Sequence, residues 1–194
     1  MNIVLDAIPV TTTAERVAER LLLEDADDIL FIRDLYAGIK EVSRPKVIYR
    51  EAFTEHVQGS LVRINNVDFE SPLLAEKLRN AGRVFAFAAT CGVEADEWSR
   101  REKDYIVILW LDIIKGIILG DALAYFYEHI KKTRGLQNIS ICAPGSDSQE
   151  NWPLSQQKPL FELIGDVEGR IGVILTEDSI LLPTKSSSGL VIPG

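Results

Sequence analysis

Apolar residues recur at helical spacing through the first forty positions. Ala14, Val17, Ala18, Leu21 and Leu22 share one face of a helix predicted over residues 14–24, with Thr13 placed to cap its start. Asp25, Asp27 and Asp28 open a second helix, because carboxylates stabilise the positive end of a helix dipole. Its apolar face is Ile29, Ile32, Tyr36 and Ile39; Gly38 weakens it and the Arg44-Pro45 bond ends it. The pattern then changes. Residues 47–53 and 59–64 read as strands, the second with alternation at Leu61 and Arg63. Ser71 followed by Pro72 starts a helix that carries Leu73, Leu74 and Leu78. The run RVFAFAAT over residues 83–90 has the composition of a buried strand, broken by Gly92. Glu94, Asp96 and Glu97 then sit in the first turn of a further helix, with Arg100, Arg101 and Lys103 in its last.

Residues 105–127 are apolar enough to suggest a membrane span, but Asp112, Lys115 and Asp121 interrupt them. Each charge costs about 2.5–3.5 kcal/mol at a bilayer centre, so the segment is predicted to be a buried helix of a soluble protein. It ends at Lys131, Lys132 and Arg134 before Gly135. Gly116 and Gly120 lie four apart on it, where another backbone could approach, from this chain or from a second copy. A short strand over 138–142 leads into a Pro144-Gly145 turn. A helix over 154–164 follows, with Ser155 as its cap, and then a hairpin of 172–176 and 179–182 about Glu177-Asp178. Composition alone makes the serine-rich run 185–189 a flexible tail. Helices and strands in mixed order, without a regular β-α-β rhythm, predict an α+β fold with a bent, largely antiparallel sheet flanked by helices. At 194 residues this is one domain spanning 1–194.

Composition narrows the partners. With 29 acids against 21 bases the net charge is −8, which argues against a phosphate-backbone partner and an anionic membrane surface. Two cysteines, Cys91 and Cys142, and two histidines, His56 and His129, show no metal-type spacing. Few cysteines in a chain with a large core fit a reducing cytoplasm, and the first residues, MNIVLDAIPVTTT, do not read as a signal peptide. Phosphate-binding loops and nucleophile elbows are absent from the pattern. Cys91 reads as a packing residue at a strand end. Cys142 reads as a small strand residue or, beside the turn, as a thiol near a ligand. His129 suits the negative end of its helix.

Several segments together resemble the activation domain of cobalamin-dependent methionine synthase, in particular its free-standing bacterial relatives. These are AATCG (88–92), LDIIKGIILGDA (111–122), the Ala143-Pro144-Gly145 turn, WPLSQQKPLFELIGD (152–166) and RIGVILTEDSILLPTKSSSG (170–189). The likeness is good over residues 81–194 and looser over 1–80. It implies a C-shaped α+β domain that binds S-adenosylmethionine and docks over cobalamin carried by a partner. There a flavodoxin or ferredoxin-type donor reduces inactive Co(II), and the sulfonium methyl traps the product. The implied partner is a corrinoid-binding protein or a methionine synthase lacking its own activation domain. The protein's part in such chemistry is position and electrostatics.

The family's ligand turn is Arg-x-x-Pro-Gly-Tyr. Here it is Ile141-Cys142-Ala143-Pro144-Gly145-Ser146, so Pro and Gly are kept while Ile141 replaces Arg and Ser146 replaces Tyr. Isoleucine cannot grip a carboxylate with paired hydrogen bonds. Gly116 stands where methionine synthase has an acid one turn after the match to Asp112. Asp6, in Asp6-Ala7-Ile8-Pro9, resembles a ligand-contacting Asp, and Ser188, within Ser186 to Gly189, a residue of the corrinoid-facing side. The family's following segment, with a Tyr near the ligand, would fall beyond Gly194. Two functions are carried forward: an accessory protein for reductive reactivation of cob(II)alamin, with S-adenosylmethionine if sulfonium binding is kept, and a non-catalytic small-ligand or protein-binding module on the same fold.

Overall fold

A computed structural model describes every residue except Asp147 and Gln149. β1 (Asn2–Leu5) leads to α1 (Ala14–Arg20) and α2 (Ala26–Val42). β2 (Lys46–Gln58), β3 (Leu61–Ile64) and β4 (Val67–Glu70) follow as a meander, then α3 (Pro72–Leu78) and β5 (Arg83–Thr90). α4 (Val93–Ser99) and the long α5 (Tyr105–Arg134) precede β6 (Ile139–Cys142). A 3-10 turn (Leu154–Gln156) runs into α6 (Gln157–Ile164), and α7 (Val167–Ile171), β7 (Ile174–Leu175), β8 (Leu181–Leu182) and β9 (Ser186–Pro193) complete the order.

Every strand pairing among the described residues is antiparallel, as the α+β reading expects. The main sheet has the order β4-β3-β2-β5-β9-β6, with β1 also on β2. β2 spans both ends of it: its first half pairs with β1 and β5, its second with β3, and the register slips between Thr54 and His56. Such a slip bends a strand and increases its twist, and the sheet curls into a half-barrel. One face packs Val47, Tyr49, Phe85, Phe87, Ala89 and Val191 against Ala122, Phe126 and Ile130 of α5. The opposite face packs Ile48, Ala86, Ala88, Leu190 and Ile192 against α3, α6 and α7. The first half of α5 leaves the sheet and joins α1, α2 and α4 around Ile32, Tyr36, Leu111 and Ile118. Buried Lys115 ties α5 to α4 there, with its ammonium 2.9 Å from Asp96 and 3.0 Å from Ser99 Oγ.

Local signals explain most boundaries. Thr13, Asp25 and Ser71 cap their helices through side-chain oxygens, and Gly135 stops α5 in the left-handed conformation. Several expectations fail for identifiable reasons. α1 stops at Arg20, because Leu22 takes φ +57° and turns its side chain into solvent instead of sharing the apolar face. Ser155 caps nothing, since the chain enters α6 through a 3-10 turn. Arg100, Arg101 and Lys103 lie beyond α4, in the turn before α5. The serine-rich run is no flexible tail: it begins β9, held between β5 and β6. Among the described residues no backbone of this chain approaches Gly116 or Gly120, as Lys185 Cε at 4.0 Å is all that a Cβ at Gly116 would meet, and a Cβ at Gly120 would meet nothing within 4 Å. Among the described residues no helix is long and apolar enough to cross a membrane.

Candidate functional site

β6 ends at Cys142 and the chain reverses through Ala143-Pro144-Gly145-Ser146. Proline supplies the fixed φ of the second turn position and Gly145, at φ +75°, the left-handed third. Ser146 N–H donates to Ala143 O at 3.2 Å, and Ser146 Oγ donates to the same carbonyl at 2.7 Å. Ala143 N–H in turn donates to Ser146 Oγ at 3.4 Å, and Gly145 N–H to Trp152 O at 2.8 Å. Leu154 lies against Gly145, with Cδ1 3.3 Å from where a Cβ would stand. The turn is held by its own groups and by Trp152, and the amides of Ala143, Gly145 and Ser146 are engaged.

Strand parity decides what lies beside it. Ile141 pairs with Val191, whose side chain faces α5, and is 43% exposed on that side of the edge strand. Ser187 pairs with Ala89 and Gly189 with Phe87, so both belong to the same face. Gly189 is required there, since a Cβ would stand 2.4 Å from Cys142 O. Where the loop meets the helix, Lys185 crosses Gly116 to pair with Asp112 at 2.8 Å, and its carbonyl accepts from Cys91 N–H. Ile141 thus shares the α5-facing side of the sheet with Ser187 and buried Gly189, and Asp112, Gly116 and Lys185 lie near the start of β9.

Two residues singled out from the sequence lie on the other face. Ser188 is 2% exposed and donates its hydroxyl to Gln157 of α6. Cys142 packs in the core beneath, and burial pushes its thiol up to about 12, so it stays protonated at neutral pH. Cys91 behaves alike, pushed up to about 12 chiefly by burial and in part opposed by Lys115. Asp6 is exposed just past β1, whose place is beyond β2. Four strand spacings of about 4.8 Å separate β1 from β6 along the sheet. The segment after Asp6 is fixed to α5, where Asp121 accepts from the amides and hydroxyls of Thr11 and Thr12 at 2.9–3.1 Å. Sequence reasoning missed Ser187 as a member of the turn's face; only the β5–β9 register shows it. His129 stands apart, beside Tyr49 at 3.1 Å, its pKa lowered by burial and by Arg134. Among the described residues no group of three or more His, Cys, Asp or Glu could hold a metal ion.

The class is thus an α+β domain with a curled antiparallel sheet, an edge-strand Pro-Gly turn and a long helix crossing from sheet to helical layer. Among solved structures the chain is similar to a crystal structure of the MetH reactivation domain bound to AdoHcy, with a TM-score of 0.65 over 100% of this chain and 78% of that one. Identity is 16%, so the likeness establishes the fold, and the resemblance read from the sequence holds at that level. No protein-family model matches the chain, and no curated protein matches it by sequence.

Proposed function

We propose that residues 1–194 act as one cytoplasmic domain, an accessory protein of a corrinoid-dependent methyl-transfer system. It docks on a corrinoid-binding protein, or on a methionine synthase lacking its own activation domain, and supports the return of cob(II)alamin to its active state. A flavodoxin or ferredoxin-type protein supplies the electron. The observation that carries this reading is the fold shared with the MetH reactivation domain along the whole chain. The turn, Ile141 and Ser187 form the docking surface, with Cys142, Ser188 and Gly189 beneath it and Asp6 outside it, four strands across the sheet.

The residues at the turn do not fit the amino-acid end of S-adenosylmethionine or of AdoHcy, the ligand of the similar structure. Ile141 offers no donor, and the amides of Ala143 and Gly145 are engaged within the fold. Charge-assisted hydrogen bonds are worth about 1.5–3 kcal/mol each, so their loss lowers affinity by roughly one to several decades. No methyl-transfer step is assigned to this chain's residues; its contribution is shape and docking. Exposed Ile141 also favours a second reading, a module for a less polar small ligand.

Co-purification with candidate corrinoid proteins, followed by the cobalt absorption spectrum under reducing conditions, tests the proposal. A stable complex and faster loss of the Co(II) spectrum are expected. No complex at about 100 μM, a concentration that detects even weak association, would overturn it.

A further inference from the structure

Where α5 ends over the sheet, a cavity of about 340 Å³ is lined by Met1, Ile3, Glu51, Phe53 and Arg134. That volume lies within the range of small-molecule sites. Alternation along β2 puts Glu51 and Phe53 on the same face as Tyr49, the face that packs against α5. Phe53 is nevertheless 53% exposed, because the helix stops at Arg134. Three walls of the cavity are thus apolar, and the other two carry opposite charges.

Those charges are not evenly matched. Glu51 Oε2 lies 3.4 Å from Arg134 Nη1, and Glu51 Oε1 lies 3.4 Å from Arg83 Nη1. Arginine favours short, paired hydrogen bonds to a carboxylate, and Arg63 makes such a pair with Asp68 at 2.6 and 2.7 Å. Each contact to Glu51 is single and long by comparison. Arg134 Nε is buried and has no hydrogen-bond partner among the described residues. Both guanidiniums lie over the ring of buried Phe85, 5.5 and 5.7 Å from its centroid. The ring steadies them without using their donors. One carboxylate between two guanidiniums leaves a surplus positive charge beside an apolar cavity, in a chain whose net charge is −8.

We propose that this cavity binds a small amphipathic monoanion, a carboxylate on an apolar body. The carboxylate takes paired hydrogen bonds from Arg134, while Glu51 gives up its long contact there and keeps Arg83. The apolar body lies over Ile3 and Phe53. One negative charge balances the surplus, whereas the second charge of a phosphate would meet Glu51 and be repelled. Arg134 stands eighteen residues along α5 from Gly116, about 27 Å at 1.5 Å per residue. The proposal is therefore independent of what the turn binds.

Calorimetric titration of the full chain with octanoate tests this, with octylamine and octyl phosphate for comparison. Saturable octanoate binding below about 10 mM is expected, with none of octylamine and at least about tenfold weaker binding of octyl phosphate. Arg134→Gln and Phe53→Ser should each weaken octanoate binding at least about tenfold, with unchanged far-UV spectra. Glu51→Gln keeps the side chain's shape and removes the carboxylate that competes for Arg134. It should tighten octanoate binding about tenfold, a gain that misfolding cannot produce. A wild-type chain that binds no octanoate makes Arg83, Glu51 and Arg134 a structural ion cluster only and overturns the proposal. So does octylamine or octyl phosphate binding as tightly as octanoate, a folded Arg134→Gln chain that binds it unchanged, or a Glu51→Gln chain that binds it no more tightly.

Discussion

Ile141→Arg places a guanidinium at the position that the sequence resemblance matches to the Arg of the methionine synthase turn. The edge strand leaves this side chain 43% exposed, so a longer one extends toward solvent without displacing core atoms. Two parallel hydrogen bonds to a ligand carboxylate are worth about 1.5–3 kcal/mol each when shielded. At so open a site solvent competes, and roughly half survives, about 1.5–3 kcal/mol in all. The expected gain in affinity for S-adenosylmethionine is therefore roughly ten- to hundredfold. Adding Ser146→Tyr should not simply double the gain. It removes the 2.7 Å bond from Ser146 Oγ to Ala143 O, which costs about 1 kcal/mol of fold stability, while releasing the Ala143 amide toward a ligand. Calorimetric titration of the wild type, the single and the double variant with S-adenosylmethionine measures this, and titration with its decarboxylated form is the control. The reasoning fails if folded Ile141→Arg binds no more tightly than the wild type, or if it gains equally for the ligand without a carboxylate.

Gly189→Ala should destabilise the fold by about 1–3 kcal/mol in urea unfolding, because its Cβ would stand 2.4 Å from Cys142 O and the β6–β9 pairing must shift; an unchanged midpoint would show that the strands are not so close. Asp121→Ala should cost about 1–2 kcal/mol and speed amide exchange at Thr11 and Thr12, whose N–H groups it holds; unaltered exchange would count against the anchor. Both thiols should resist a disulfide reagent at neutral pH until the chain unfolds. Their pKa values rise on folding from 9.0 to about 12, so the stability they contribute is complete below 9 and falls as pH climbs toward 12, where the unfolded thiols ionise first. A stability profile flat across that window would contradict the burial.

Where a residue's fate is decided by its near neighbours in sequence, it was legible. Asp25, Ser71 and Gly135 act within one helical turn, and the facing set Ile32, Tyr36 and Ile39 follows from helical period alone. β1 and β4 went unread although β3 and β6, equally short, were legible, and α7 went unread because five residues depend on the Asp166 cap. The serines of β9 have little intrinsic strand preference; partners β5 and β6, about a hundred and about fifty residues earlier, impose the conformation. The same distance hid the site's parity. Nothing local says that Ser187 and Gly189 face α5 while Ser188 turns to Gln157, since a one-residue slip would exchange them. The Pro-Gly turn was readable, but the bond from Gly145 N–H to Trp152 O that closes it was not.

Among the described residues β6 has one neighbour in the main sheet, β9, which lies about fifty residues later in the chain. While the protein is being synthesised, β5 must therefore wait with a bare edge until residues 186–193 emerge and slot in. An open edge of that kind invites pairing with the wrong chain, and such distant closure is slow. The Ala143–Ser146 turn, carried on a strand with nothing yet to lie against, takes shape only once residues 186–193 have joined, so a copy without them cannot compete for whatever that turn engages.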